Sequence, residues 1–525
     1  MNYNRVYLSC LSFRLRSVLA MISGLLVGLP FLFPNLFILS WFGFVPLLFA
    51  LHKTNIIKAY VLGLLCGLSA SVCAVYWIEE FIFHLKGYEK FTRILLSIAF
   101  WLYSAHIIAA VTIVFNLMRK VKKVSDFLAF PVIVCIVFSV FPLLFSIQLG
   151  ASQSHFLVAL QAIDLTGVYG LDFIIALTNV IIYKICLRTQ EKGIVICATM
   201  MVTFWLGYGM FSLSKYQTLE RQWTTQKIGI VQPNEAPSIN VPPPAINYSH
   251  AFSPKLTLTQ SLAHEDVVAV IWPESRFQGY FRDHHVKTAF QYYIKDFDTH
   301  LIFQDIEKSR LDGVFKKYNS SVFINNDGVE QGHYRKRKLV PIGESLPLFS
   351  ENKAVRKVVK KYFGDFFSDY SEGVESVNYR INDTLFFPFV CYEIMFPRLV
   401  AKTLSEGSSE AKILVTQSNN TWFGDSHQPY QHLYASVLRS VENRTPMVHA
   451  LNNGPSAVVM PSGEIIFQST YNQAAAYIVD VPIGKTTLSF FSSYPNLFMN
   501  AIYILFSCLV LYSVFVTRRL GFNRS

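Results

Sequence analysis

The chain has 525 residues, of which 52% are hydrophobic and only 15% charged; 46 Lys and Arg outweigh 34 Asp and Glu to give a formal net charge of +12. So apolar a composition excludes an ordinary soluble protein of this length. The basic excess gathers in short connections between apolar runs, which argues against a nucleic-acid surface. The runs lie near 18–33, 35–51, 59–78, 94–117, 127–147, 167–187, 193–212 and 495–516. Each is about as long as a helix crossing a roughly 30 Å hydrocarbon core, so about eight spans are expected, the first two short or closely joined.

Lys and Arg placement orients these spans. Arg5, Arg14 and Arg16 precede the first, and Lys53 and Lys58 follow the second. Arg119, Lys120, Lys122 and Lys123 follow the fourth; Lys184, Arg188 and Lys192 lie between the sixth and seventh; Arg518, Arg519 and Arg524 close the sequence. The alternate loop 148–165 has no Lys or Arg, and 79–93 mixes Glu79, Glu80 and Glu89 with its basic residues. Both termini are therefore expected in the cytoplasm, and the long polar stretch between the last two runs on the outer face. The basic start followed by an apolar run resembles a signal peptide, but with so many later spans an uncleaved helix is expected.

The stretch 218–490 reads as one soluble domain. Lys227–Gln232 is a first strand and Val267–Trp272 a second, ended by Pro273-Glu274. A helix is predicted over 276–299, then a short strand Leu301–Phe303. Ser320–Ile324, the turn Asn326-Asp327-Gly328 and Val329–Tyr334 form a hairpin, Asp-Gly being the strong turn signal. Leu385–Val390 precedes Cys391, and a helix over Ile394–Leu404 follows it. Ile413–Thr416, Val448–Leu451, Ser456–Met460, Ile465–Gln468 and Ala474–Val481 are further strands. Helices and strands alternate and then strands dominate, which predicts an α/β sandwich with mixed sheets.

Three strand ends carry chemistry. Glu274 follows the second strand, Lys336 sits in Tyr334-Arg335-Lys336-Arg337-Lys338, and Cys391 ends an apolar strand. Cys391 is the only cysteine between Cys197 and Cys508, so no disulfide can form within the outer segment. An unpaired thiol in an oxidising compartment needs a use. At a strand-to-helix turn the helix dipole is expected to favour its thiolate. A buried carboxylate can take the thiol proton, an ammonium can stabilise an oxyanion, and the cysteine can carry an acyl group.

These strings resemble the Glu-Lys-Cys signature of the nitrilase, or carbon–nitrogen hydrolase, superfamily. The fuller motifs are similar to its membrane-bound branch, the apolipoprotein N-acyltransferases. They are Trp272-Pro273-Glu274-Ser275; Tyr334-Arg335-Lys336 with Leu339-Val340-Pro341-Ile342-Gly343-Glu344; and Val390-Cys391-Tyr392-Glu393. Ser418–Ser426, Asn452-Asn453-Gly454, Leu149–Gln153 and Gly167–Gly170 also match, so the likeness spans nearly the whole chain. There are departures. Ile239-Asn240-Val241 and three prolines stand where the family usually has a Trp, Asn420 where Asp is common, and Ser275 where Thr is common.

The resemblance implies a transmembrane bundle of about seven helices over 1–217 and a periplasmic αββα nitrilase-like domain over 218–490. A last transmembrane helix with a basic cytoplasmic tail would occupy 491–525, all in a bacterial inner membrane. Glu274 would be the general base, Lys336 the charge stabiliser and Cys391 the nucleophile. Glu344 would orient Lys336 or tune the base, Tyr392 and Glu393 would shape the pocket, and Trp422 and Phe423 would belong to a covering loop. The implied reaction takes an acyl chain from a phospholipid and passes it to the α-amine of a diacylated apolipoprotein. A monomer is expected, with no cofactor, metal or nucleic acid.

Two local features fall outside the triad. In 353–363, Val355, Val358, Val359, Tyr362 and Phe363 share a helical face with basic residues elsewhere, and Phe366, Phe367 and Tyr370 follow, as in a helix lying on lipid or packed on the domain. His106 and Asp172 are polar residues within spans, expected to pair between helices or to line a lipid path. Three competing functions remain: a hydrolase using the same triad with water, a paralogue with another acceptor, and a ligand-binding receptor or transporter. A Cys-His hydrolase would draw on His427, His432 or His449, which no spacing distinguishes.

Overall fold

The computed structural model describes residues 11–120, 124–238, 242–263, 265–275, 278–311, 314–346, 352–364, 367–406 and 410–522. Arg5, Lys122, Lys123, Ile239, Asn240, Val241, Phe366 and Arg524 lie outside this set, as do the side chains of Lys360, Tyr362, Phe363, Arg518 and Arg519. The chain divides into two units, Met1–Glu79 with Lys90–Ser214 and Tyr494–Ser525, and Glu80–Glu89 with Lys215–Ser493.

In the first unit the apolar runs become helices. Among the described residues, six are long and apolar enough to cross a membrane: Phe13–Leu32, Ile56–Ala74, Lys90–Arg119, Val168–Cys186, Lys192–Glu220 and Leu497–Phe515. The other two of the expected eight runs make shorter helices, Pro34–Ala50 and Asp126–Val140. Proline explains both. Pro34 and Pro46 restart the backbone within the first run. The second stops at Phe141, held extended at ψ 126° ahead of Pro142. Gly63 and Gly67 face Thr112, Ala109 and Ala105 so closely that a Cβ would collide, the small-residue packing that joins helices in lipid. The polar residues pair locally: Asp172 Oδ1 accepts from the Gly150 amide at 2.7 Å, and His106 meets the Leu102 carbonyl at 2.7 Å and the Tyr60 hydroxyl at 3.1 Å.

The second unit holds two six-stranded sheets. One runs β12-β1-β2-β3-β4-β5 and the other β11-β10-β9-β8-β7-β6. Their ranges are β1 Thr224–Gln232, β2 Ala269–Ile271, β3 His300–Leu311, β4 Val314–Ile324, β5 Glu330–Arg335 and β6 Tyr379–Ile381. The rest are β7 Thr384–Val390, β8 Ala411–Ser418, β9 Met447–Leu451, β10 Ala457–Val459, β11 Ile465–Gln468 and β12 Ala475–Ile483. β1, β2 and β3 pair in parallel, as do β7, β8 and β9.

Alternation builds the layers. Ile228, Ile230, Ile271 and Phe323 from one sheet pack with Phe386, Val390, Ile413 and Val448 from the other. The opposite face of the first sheet, through Val231, Val270 and Phe303, packs on Val286, Phe290 and Ile294 of helix His284–Asp296. Helix Gln428–Asn443 covers β9 and β10. The order is helix, sheet, sheet, helix. β7 and β8 are buried along their whole length, which is why they read as unbroken apolar runs.

Three expectations change. β3 has 12 residues and pairs with β4 from Leu301↔Ile324 to Leu311↔Val314. Its outer part, Gln304–Arg310, is polar and so carried no apolar strand signal. The helix expected over 276–299 is His284–Asp296, started by the Asp283 side chain accepting from the His285 amide. The stretch after Cys391 is a single 3-10 turn, Cys391–Met395, before Pro397 opens a separate helix, Pro397–Ser405.

Candidate active site

Glu274, Lys336, Glu344 and Cys391 converge at the strand ends. Glu274 follows β2 across Trp272 and Pro273. Trp272 is fully buried; its indole N–H donates to Thr259 Oγ1 at 2.9 Å and its carbonyl accepts from Gln417 at 2.7 Å. Lys336 follows β5, with its amide on the Asn319 carbonyl at 2.8 Å and its carbonyl accepting from the Gly373 amide at 2.8 Å. Its side chain is 1% exposed, whereas Lys338 points to solvent. Glu344 sits in a turn whose carboxylate Oε2 accepts from the Val340 amide at 2.8 Å.

The charged groups are tightly tied. Lys336 Nζ lies 2.9 Å from Glu344 Oε2, 3.0 Å from Glu344 Oε1 and 3.9 Å from Glu274 Oε1. Asn319, on β4, donates to Glu274 Oε1 at 2.9 Å and to Glu344 Oε1 at 3.0 Å. Its own oxygen accepts from Gln304 at 2.8 Å, and Gln304 in turn accepts from the Ser275 amide at 2.7 Å. Burial raises the Glu274 pKa, Lys336 opposes this and Glu344 adds to it, so the carboxyl lies above the usual range. Burial opposes charge on Lys336, but Glu344 and Glu274 outweigh it and hold the ammonium above its ordinary pKa.

Cys391 has φ +52°, a left-handed backbone that costs a non-glycine residue about 1–2 kcal/mol. Such strain persists where surrounding contacts over-determine it. Its thiol reaches the Glu274 carboxylate. Burial, and then the Glu274 charge, push the thiol up to about 12 despite Lys336. The expectation that a helix dipole favours thiolate is therefore corrected: one 3-10 turn adds little, and desolvation beside a carboxylate dominates. The thiol needs a base.

Glu393 ties the two catalytic segments together. Oε1 accepts from the Tyr334 hydroxyl and the Arg337 amide, both at 2.7 Å, and from the Lys338 amide at 3.2 Å. Oε2 accepts from the Val390 amide at 2.8 Å. Burial raises the pKa of this carboxyl and these donors lower it. Tyr392 packs edge-on to Phe396 at 4.9 Å. Phe423 is buried and stacked on Phe81 at 5.1 Å, while Trp422 beside it is partly exposed.

Sequence reasoning did not single out Asn319, which sits mid-strand with no motif to mark it. It weighed His432 among three histidines without choosing; the structure brings its Nε2 to the Cys391 carbonyl at 3.2 Å. His449 lies behind it, ring centroids 5.1 Å apart, and His427 begins the helix that carries His432. Among the described residues no three His, Cys, Asp or Glu side chains form a metal-binding group.

An αββα sandwich with a buried Glu, Lys and Cys at its strand ends is the architecture of a carbon–nitrogen hydrolase domain, and residues 227–488 match the carbon-nitrogen hydrolase family model. Residues 23–181 match the model for the apolipoprotein N-acyltransferase N-terminal domain. A relative named apolipoprotein N-acyltransferase from Geobacter metallireducens is 28% identical over 92% of this chain and 92% of its own. Another of that name, from Rickettsia prowazekii, is 27% identical over 94% of this chain and 97% of its own. Among solved structures, an amidase from Nesterenkonia sp. AN1 aligns with 49% of this chain and 93% of its own at 13% identity and a TM-score of 0.36. The chain belongs to the apolipoprotein N-acyltransferase family.

Proposed function

We propose that this integral membrane protein transfers an acyl chain from a phospholipid to the α-amine of an apolipoprotein's diacylglyceryl-cysteine, through a thioester on Cys391. Family membership supports the reaction class. The observation that carries the mechanism is the convergence of the Cys391 thiol, the Glu274 carboxylate and the Lys336 ammonium in one buried cluster.

In the first step Glu274 takes the thiol proton as sulfur attacks the ester carbonyl. Lys336 stabilises the oxyanion. The ester C–O bond breaks, and Glu274 returns the proton to the departing lysophospholipid hydroxyl. In the second step the neutral amine attacks the thioester, Glu274 takes its proton, and the amide forms as Cys391 leaves and is reprotonated. Two transfers through one acyl-enzyme give ping-pong kinetics. Glu344 holds Lys336 in place, and Asn319 and Glu393 keep the strand-end segments in register. Trp422 and Phe423 belong to a loop beside the site.

The basic connections support a cytoplasmic placement of both termini and an outer placement of the catalytic domain, periplasmic in a bacterial inner membrane. The functional division falls near 217 and 490, with about eight passes if the two proline-interrupted segments also cross. The helix Lys353–Phe363, with Val358 exposed, is suited to lie against anionic headgroups.

Intact mass after incubation with phospholipid vesicles tests this function. The expected result is a fatty-acyl gain on the wild type that is absent from Cys391→Ala and discharged by a diacylated lipopeptide with formation of its amide. Discharge by water alone would make the protein a hydrolase. An equal gain on Cys391→Ala would overturn the assignment of the nucleophile.

A further inference from the structure

The side of Cys391 away from the carboxylates is lined by a second, separate set of side chains. Ser418 ends β8, and its hydroxyl donates to Asn420 Oδ1 at 3.0 Å. The Asn420 amide faces His432 Nδ1 at 3.1 Å. His432, from helix Gln428–Asn443, reaches the Cys391 carbonyl with Nε2 at 3.2 Å. The Ser418 hydroxyl also lies within hydrogen-bonding reach of the Cys391 thiol. Ser418, Asn420 and His432 are 0%, 1% and 5% exposed, so water does not replace these bonds. The chain of contacts starts at the sulfur and returns to the carbonyl of the same residue.

We propose that Ser418, Asn420 and His432 are positioning residues for the nucleophile, an uncharged ring of hydrogen bonds that grips Cys391 at its thiol and at its carbonyl, with Asn420 setting the imidazole tautomer. This rests on Cys391 being the nucleophile. The direction of each bond follows from donor chemistry. A carbonyl only accepts, so His432 Nε2 carries the proton. Nδ1 then has a lone pair and needs a donor, which the Asn420 amide supplies. Asn420 Oδ1 in turn accepts the Ser418 proton. Asn420 is the side chain here that can donate to the ring and accept from the hydroxyl at once.

The groups facing His432 agree with a neutral ring. His449 on β9 lies against it, its Nδ1 paired with Ser436 at 2.7 Å, and Lys336 acts on it from the end of β5. Burial holds His432 down at about 4 and keeps it neutral across the physiological range. Burial, and then His432 itself, hold His449 well below its ordinary value.

The ring also has a use during reaction. While the thiol proton sits towards Glu274, the Ser418 hydroxyl donates to Asn420. When that proton passes to Glu274, rotation about the Ser418 Cβ–Oγ bond turns the hydroxyl to the new thiolate. No charge moves through the ring, and no proton changes owner within it.

The test measures the pH dependence of Cys391 alkylation by iodoacetamide in the full-length protein in detergent, followed on the Cys391 peptide by mass spectrometry. Ser418→Ala is expected to move the midpoint up by about half to one pH unit, a three- to tenfold loss of reactivity below it. Asn420→Asp cannot donate to Nδ1, so it is expected to draw a second proton onto His432. The alkylation profile then gains a second inflection, which Asn420→Asp combined with His432→Gln removes. A merely structural role would lower the melting temperature without moving either profile. Wild-type profiles for both Ser418→Ala and Asn420→Asp overturn the proposal. Should Asn420→Asp fail to fold, His432→Gln against His432→Leu decides: the amide is expected to keep reactivity within threefold and the hydrocarbon to lose at least tenfold, and equal reactivity overturns the ring. Alkylation needs no acyl donor, so failure of the acyltransferase function appears separately, as no acyl gain from phospholipid.

Discussion

The two sheets of the catalytic unit supply opposite halves of the site. The first brings charge: Glu274 after β2, Lys336 after β5, Glu344 in the following turn, and Asn319 between the two carboxylates. The second brings neutral groups: Cys391 after β7, Ser418 on β8 and His432 on the covering helix. The charged half is strained electrostatically, with a raised carboxylic acid beside a lysine kept cationic by two neighbours. The neutral half is strained in its backbone, at Cys391 φ +52°. The difference explains a thiol that is inert on its own and reactive only when the other half accepts its proton.

Five substitutions break or sharpen that contrast. Cys391→Ala, the largest, is expected to abolish the acyl adduct seen by intact mass. Glu274→Gln keeps the shape of the charged half but removes its base, and acyl-enzyme formation in single turnover is expected to fall about 10²–10⁴-fold. Lys336→Met removes the oxyanion partner and is expected to cost about 10²–10³-fold in the same assay. A full-rate Glu274→Gln variant would mean that the halves do not depend on each other.

The pH profile separates the halves further. Glu274 works as the carboxylate, so acyl-enzyme formation falls as pH drops through its pKa. Because that pKa is raised, the loss begins at higher pH than for an exposed glutamate near 4.3. Asn319→Ala removes a hydrogen bond that favours the carboxylate, so the acid limb should move to still higher pH, by about one unit, with about a tenfold loss just above the wild-type midpoint. An unchanged limb would show that Glu274 does not titrate in the step observed. Lys338→Gln, two residues from Lys336 but exposed, is the smallest change; it should leave the rate unaltered and stability within about 0.5 kcal/mol.

Much of this was legible in the residues. β7 and β8 are unbroken apolar runs because both faces are buried, and Gly328 at φ +78° closes the hairpin that Asn326-Asp327-Gly328 announces. Glu274, Lys336 and Cys391 each stand at the end of a strand with a recognisable string around it. The outer parts of β3 and β4 were not legible, because Lys308↔Lys317 and Glu307↔Tyr318 pair polar residues with no hydrophobic alternation. Asn319 lies in that polar ribbon, and so escaped notice.

The sequence by itself determined the apolar segments, the positions of the strand ends and the three groups placed there, since each depends on local composition or on a short string. Only the tertiary structure decided what those groups are chemically. A pKa follows from desolvation and from charges that approach through space, and the neighbours of Cys391 come from positions as far apart as Glu274 and His432. Burial turned the thiol that a helix dipole was expected to ionise into one held protonated. It also brought a histidine to the nucleophile's carbonyl rather than to its sulfur.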